Sequence, residues 1–145
     1  LPMSGYNWNS MVWPIERPPA PNAERPRANW RFIGWEYFQT MGIPLRAGRA
    51  FNAQDHLKAP AVVIINEAFA RRDFGSASAA IGRRLQSVSG RGEEVIEIVG
   101  VSGDVRFMSL DKPAAPEMYR PLAQTFMFPM AFVVRTGADP NRWTD

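Results

Sequence analysis

The sequence YFQTMGIPLRAGRAF, residues 37–51, carries the clearest local structural signals of the chain. Phe38 and Met41 keep the spacing of one face of a helix. Gly42 follows at a position where helices commonly end on a glycine with left-handed backbone angles, and Pro44 prevents the helix from continuing. The segment therefore predicts a short helix that opens near residue 34 and ends at Gly42, followed by a turn-rich stretch that can hold a brief strand.

Two later segments predict a buried strand with a helix behind it, and then a long second strand. VVIINEAFAR, residues 62–71, begins with an apolar, β-branched run that is typical of a buried strand. Asn66 is the predicted N-cap of the following helix, and Glu67 lies in its first turn, where a carboxylate favours the helix dipole. Residues 94–101 alternate at first and then become wholly apolar, which predicts a strand that enters the core.

The remaining segments predict further strands joined by loops. Residues 1–27 form a proline-rich segment with a possible edge strand over 11–17, because Pro14 cannot donate to a strand ladder. Three more strands are expected over 28–33, 83–88 and 128–136, an edge strand between prolines at 118–119, and a small-residue loop at 76–80. The order of elements predicts an α+β fold of mixed β-sheets with a few short helices.

Composition excludes several classes of function. The chain of 145 residues is long enough for one domain or two small lobes, and it has no cysteine, so disulfides, thiolate metal sites and a cysteine nucleophile are excluded. The longest nearly apolar run, residues 127–134, is shorter than the ~20 residues that a bilayer crossing needs. The net charge of +3 comes from arginines scattered along the chain, which does not predict a nucleic-acid partner.

No catalytic, cofactor or metal site is predicted from the residues. Gly100 and Gly103 follow a strand, but the third glycine of a dinucleotide fingerprint and the helix after it are missing, so a tight turn is the better interpretation. His56 beside Asp55 lacks further ligands or a nucleophile and is interpreted as a surface histidine. The adjacent Glu93 and Glu94 are interpreted as part of a solvated turn.

Four residues are candidates for an interaction surface. Trp8 and Trp13 lie outside the expected core and are the better interface candidates, whereas Trp30 and Trp35 are assigned to core elements. Asp104 and Arg106 flank one residue and project to the same face of an extended segment, where they can pair with each other or with arginines elsewhere.

The ordered set of motifs resembles the extracytoplasmic core domain of MacB-like ABC transporter permeases, the FtsX-like permease family. The set consists of YF-x-x-MGIPL-x-x-GR-x-F at 37–51, VVIINE-x-x-AR at 62–71, IGRRL at 81–85 and IVGV-x-GDVR at 98–106. The motif positions interpreted as backbone and packing devices are Tyr37, Phe38, Gly42, Pro44, Gly48, Arg49, Asn66, Glu67, Gly100 and Gly103.

The resemblance implies a non-catalytic domain on the outer face of the bacterial cytoplasmic membrane. After the proline-rich segment at 1–27, it implies a core domain at 28–145, built as a porter-like subdomain plus a smaller inserted lobe and belonging to a longer permease. The expected partners are the permease's own transmembrane helices, a cytoplasmic ATPase that binds the ATP, a second permease copy, and a periplasmic adaptor or substrate during export or efflux. The alternatives are a stand-alone exported ligand-binding module, or a hydrolase that uses Asp55, His56 and Ser102.

Overall fold

A computed structural model shows a single mixed β-sheet and describes residues 8–90, 92–105, 112–125 and 137. The described residues form seven strands, three short α-helices and one 3₁₀ turn at Leu122–Gln124. The strands are β1 (Trp8–Pro14), β2 (Arg27–Ile33), β3 (Leu45–Gly48), β4 (Val62–Asn66), β5 (Arg84–Ser89), β6 (Gly92–Ser102) and β7 (Glu117–Pro121), and the helices are α1 (Tyr37–Met41), α2 (Glu67–Phe74) and α3 (Ala77–Ala80).

The strand order is β3-β6-β4-β7-β2-β1-β5, and β5 also pairs with β6. Six strands therefore close into a ring, and β3 is attached to β6 outside it. The β2–β7 and β4–β6 pairs are parallel, and the other pairs are antiparallel. The prediction of an α+β fold with a mixed sheet and a few short helices is confirmed. Its finer division into a porter-like subdomain and an inserted lobe stays a prediction.

Strand β6 closes the ring because its two halves pair with different neighbouring strands. Its first half, up to Glu97, pairs with β5, and its second half, from Glu97 on, pairs with β4 and then with β3. The burial of the strand changes at the same place. Residues 92–95 are exposed, Glu97 is exposed between the fully buried Ile96 and Ile98, and the residues after Ile98 are buried or half-buried. The alternating half and the apolar half of the strand thus correspond to two packing environments.

Apolar side chains fill two clusters on opposite faces of the sheet. Successive residues of a strand point to opposite faces, so β4 contributes Ile65 to one cluster and Ile64 to the other, and both are fully buried. The larger cluster also contains Phe69 of α2, and the smaller one contains Phe38 of α1 against Tyr119. The larger cluster takes side chains from all six strands of the ring, so it fills the ring's interior together with residues of α2 and α3. The smaller cluster lies on the outer face, against α1.

The helix signals of the sequence correspond closely to the structure. Gly42 has a φ of 66° and closes α1 by donating its N–H to the carbonyls of Gln39 and Phe38. The helix begins at Tyr37, three residues after the predicted opening at Gly34, because the Tyr37 N–H bonds the Gly34 carbonyl in a turn. The Asn66 side chain accepts a hydrogen bond from the Phe69 N–H at 3.0 Å and caps α2 as predicted.

Two strands that were predicted at sheet edges lie inside the sheet. Strand β1 lies between β2 and β5, and β7 lies between β4 and β2. The prolines do not interrupt these ladders, because Pro14 and Pro121 occupy the last positions of their strands and Pro116 stands just before β7. Strand β1 lies before the boundary expected after residue 27, β2 begins at Arg27 and crosses it, and the two strands belong to one sheet.

Two further local predictions are wrong. The predicted loop at 76–80 contains helix α3, because Ser76 accepts a hydrogen bond from the Ala79 N–H and alanine has the highest helix propensity. Trp35, assigned to the core, is 48% exposed, since it lies in the turn before α1. The strand expected at 128–136 lies outside the described residues. No helix within the described ranges has the length and apolar character for a membrane crossing.

Candidate functional site

Four motif residues meet where β3 pairs with β6, and this group of Pro44, Gly48, Gly100 and Gly103 is called the glycine junction. A Cβ on Gly48 would lie 2.2 Å from the Val99 carbonyl oxygen, and one on Gly100 would lie 2.4 Å from the Arg49 carbonyl oxygen. The Gly103 N–H bonds the Pro44 carbonyl at 2.7 Å. The two motifs that supply these residues are therefore spaced for close backbone contact, which only glycine permits.

Asp104 extends the glycine junction to the start of α2. Its carboxylate accepts the Ala68 N–H at 2.7 Å and pairs with Arg71. A carboxylate at a helix N-terminus satisfies a free backbone donor and favours the helix dipole. Asp104, predicted as an interaction candidate, thus binds within the chain, and Arg106 lies outside the described residues.

A bidentate ion pair holds the loop after β3. Both carboxylate oxygens of Asp55 bind the Arg49 guanidinium, at 2.8 and 2.9 Å, and one also accepts the Asn52 N–H. Asp55 is only 3% exposed. The hydrogen bond from Arg49 holds the pKa of Asp55 below its usual value. His56 beside it is exposed and Ser102 is fully buried in β6, so these residues do not form a hydrolase triad.

A polar cluster lies between the sheet and α1. Glu117 is 1% exposed and accepts from the Arg31 Nε at 3.0 Å and from Asn29 at 3.2 Å. Its backbone N–H bonds the Asn66 side chain. Burial raises the pKa of Glu117, with Arg31 and Asn29 acting in the opposite direction, and burial likewise raises the pKa of Tyr119. The sequence does not predict this cluster, since its members come from separate strands and form no motif.

The raised pKa of Glu117 predicts a pH dependence of stability. The unfolded-state carboxyl titrates near 4.5, and the folded state keeps its proton to a higher pH. The contribution of this pKa difference to the free energy of unfolding is therefore complete below the unfolded-state pKa of Glu117. It is lost as pH rises through the folded-state pKa. We expect the unfolding free energy of the wild type, relative to Glu117→Gln, to fall as urea titrations move from about pH 4 to about pH 7.

If the free energies of unfolding of wild type and Glu117→Gln differed by the same amount at every pH, the raised pKa of Glu117 would be contradicted. Asp55→Asn provides a control of opposite sign, because Asp55 has a lowered pKa. Its contribution is present above the unfolded value of 3.8 and is lost as pH falls through the folded pKa.

A cleft of about 540 Å³ lies at the end of the ring where β1 begins and β7 ends. We call it the Trp8 cleft. It is lined by Trp8, Trp30 and Arg120 and by the hairpin that joins β5 to β6. Of the two predicted interface tryptophans, Trp8 is 49% exposed in this cleft, whereas Trp13 is half-buried under the Arg25 guanidinium, 5.5 Å from the ring centre.

The described residues contain no group of three or more histidine, aspartate or glutamate side chains placed to hold a metal ion. Glu93 and Glu94, read as part of a solvated turn, are exposed at the start of β6, and Glu94 pairs with Arg120 at 2.6 Å. The structure therefore assembles two groups, the glycine junction and the Trp8 cleft, and the His56 side chain belongs to neither.

Comparison with known families identifies the chain. The family model described as the MacB-like periplasmic core domain matches residues 15–144, so the chain belongs to this family, and the resemblance inferred from the motifs is confirmed. A search of curated proteins gave no match.

Two solved structures share the fold. One is the periplasmic region of MacB from Actinobacillus actinomycetemcomitans, which is 18% identical with a TM-score of 0.56 over 81% of this chain and 46% of that one. The other is the extracellular domain of the noncanonic ABC-type transporter YknZ from Gram-positive bacteria, which is 21% identical with a TM-score of 0.52 over 79% of this chain and 50% of that one. The chain thus spans about half the length of these solved domains.

Proposed function

We propose that the chain is the non-catalytic extracytoplasmic domain of an ABC transporter permease, and that it transmits ATP-driven movement to a substrate or partner outside the membrane. The observation that carries the proposal is the family match over residues 15–144. The fold of the MacB and YknZ domains supports it, since those domains are periplasmic or extracellular parts of transporters.

The packing suits a domain that moves as one body. Six strands close into a ring, and the glycine junction joins β3 to β6 through close backbone contacts. Asp104 then links the end of β6 to α2, and Asn66 links α2 to β7. A force applied to one of these elements is therefore passed to the others, because packed interiors deform little.

The proposed partners follow from the proposed place of the domain. The permease's own transmembrane helices move it, a cytoplasmic ATPase binds the ATP, and a second permease copy makes the unit dimeric. A periplasmic adaptor or the exported substrate is the outer contact.

The first test is the hydropathy of the source gene on both sides of this segment. One apolar stretch of about 20 residues upstream and about three downstream are expected for a domain inserted between the first two transmembrane helices. A cleavable signal peptide with no other apolar stretch would instead leave an exported ligand-binding module as the leading alternative.

The second test measures movement in the full-length permease with its ATPase in lipid nanodiscs. Spin labels at Lys58→Cys, an exposed position in a segment without native cysteine, report the distance between two permease copies. We expect this distance to shift when ATP is bound without hydrolysis. A label pair within one copy, Lys58→Cys with Ser78→Cys, provides the control and keeps its distance. An unchanged distance between copies would contradict transmission.

A further inference from the structure

The Trp8 cleft combines one exposed indole ring with a polar rim. Trp8 stands opposite Trp30 in the β1–β2 register, and Trp30 stacks on Phe32 with ring centres 6.0 Å apart and planes 14° apart. Trp8 keeps 49% of its surface exposed. The volume of about 540 Å³ lies within the range of small-molecule sites.

Two residues that line the cleft each carry a buried donor that lacks an acceptor among the described residues. The donors are the Trp30 Nε1 and the Arg120 Nε, although Trp30 is only 8% and Arg120 only 7% exposed. Buried polar groups without a partner are uncommon, because each costs free energy when it is removed from water. Such donors favour a ligand that brings acceptor oxygens into the cleft.

The charges of the rim argue against a charged ligand. Among the described residues, the charged groups of the lining are the carboxylates of Glu93 and Glu94 and the guanidinium of Arg120, which already pairs with Glu94 at 2.6 Å. An anion would meet the carboxylates, and a cation would meet the guanidinium. A hydroxyl group both donates and accepts hydrogen bonds, so a neutral ligand with several hydroxyls can bond the carboxylates and the buried donors together.

We propose that the Trp8 cleft binds a neutral saccharide, with one sugar face on the Trp8 indole and the hydroxyl groups on the rim of Glu93, Glu94 and Arg120. The apolar C–H face of a pyranose matches the flat, electron-rich face of an indole ring. This site gives the domain a ligand of its own. It goes beyond the transmission role and does not depend on it.

Calorimetric titration of the 145-residue chain with cellobiose, maltose and diacetylchitobiose tests the proposal. We expect saturable binding of at least one disaccharide, with quenching of tryptophan fluorescence. Trp8→Ala is expected to weaken that binding tenfold or more, about the effect of losing one aromatic stacking contact. Trp35→Ala is the matched control, since Trp35 is 48% exposed and does not line the cleft, and it should bind as the wild type does.

Glu93→Gln is a second variant that keeps the proposal testable if Trp8→Ala fails to fold. Its side chain is exposed, so the fold should be kept while one acceptor of the rim becomes an amide, and the affinity is expected to fall several-fold. Absence of saturable binding by all three disaccharides would overturn the proposal. Binding that is unchanged in folded Trp8→Ala, or tighter binding of benzoate than of any disaccharide, would overturn it as well.

Discussion

Asn66→Ala is expected to destabilise the protein by roughly 3 kcal/mol, because it leaves two buried backbone donors without a partner. The Asn66 Oδ1 accepts the Phe69 and Glu117 N–H groups, both at 3.0 Å, and the side chain is fully buried. Its Nδ2 also donates to the Ala115 carbonyl at 2.8 Å. One side chain thus caps α2 and fixes the start of β7, so its removal affects two elements at once.

Urea denaturation measures the effect, and Ser76→Ala is the comparison. Ser76 also caps a helix, but its hydrogen bonds with the Ala79 N–H at 3.3 Å and with the Ser78 hydroxyl at 3.4 Å are both exposed, so water can replace them. The expected loss for Ser76→Ala is about 1 kcal/mol or less. Equal losses for the two variants would show that Asn66 acts as an ordinary helix cap, and that the link to β7 contributes little.

Gly48→Ala is expected to destabilise the protein by roughly 3 kcal/mol through a backbone clash as well as backbone strain. Gly48 has a φ of 71°, and a Cβ there would lie 2.2 Å from the Val99 oxygen and 2.9 Å from the Gly100 Cα. Neither contact is with the end of a flexible side chain, so β3 must move away from β6.

Gly42→Ala separates strain from clash. Gly42 has a similar φ of 66°, but a Cβ there would meet nothing within 4 Å. The expected loss is about 1 kcal/mol, the cost of a left-handed backbone for a residue with a Cβ. The difference between the unfolding midpoints of the two variants, by heat or by urea, measures the destabilisation that the clash at the glycine junction causes. Equal midpoints would show that the close contacts of the junction contribute nothing to stability.

Local signals in the sequence predicted local structure well. Gly42 and Asn66 mark helix ends through interactions with residues within four positions, so their roles can be inferred from neighbouring residues alone. The wrong edge assignments of β1 and β7 have the opposite origin. Asn29 pairs with Glu117 across 88 positions, and no local pattern reports such a pairing.

The candidate sites were predicted only in part for the same reason. The motifs supplied every member of the glycine junction, although not the close contacts that join them. Of the predicted interface residues within the described ranges, only Trp8 lines the Trp8 cleft, since its other walls come from β2, β7 and the β5–β6 hairpin, which are distant in sequence. The buried Glu117 escaped notice because a single acidic residue between prolines carries no signal of burial.

The proposed outward placement of the domain is tested most directly by thiol labelling of the full-length permease in spheroplasts. Lys58→Cys places a thiol at an exposed position of a segment with no native cysteine. The account predicts that a membrane-impermeant maleimide labels this site in intact spheroplasts to the same extent as after lysis. Labelling that appears only after lysis would place the domain in the cytoplasm and contradict the account.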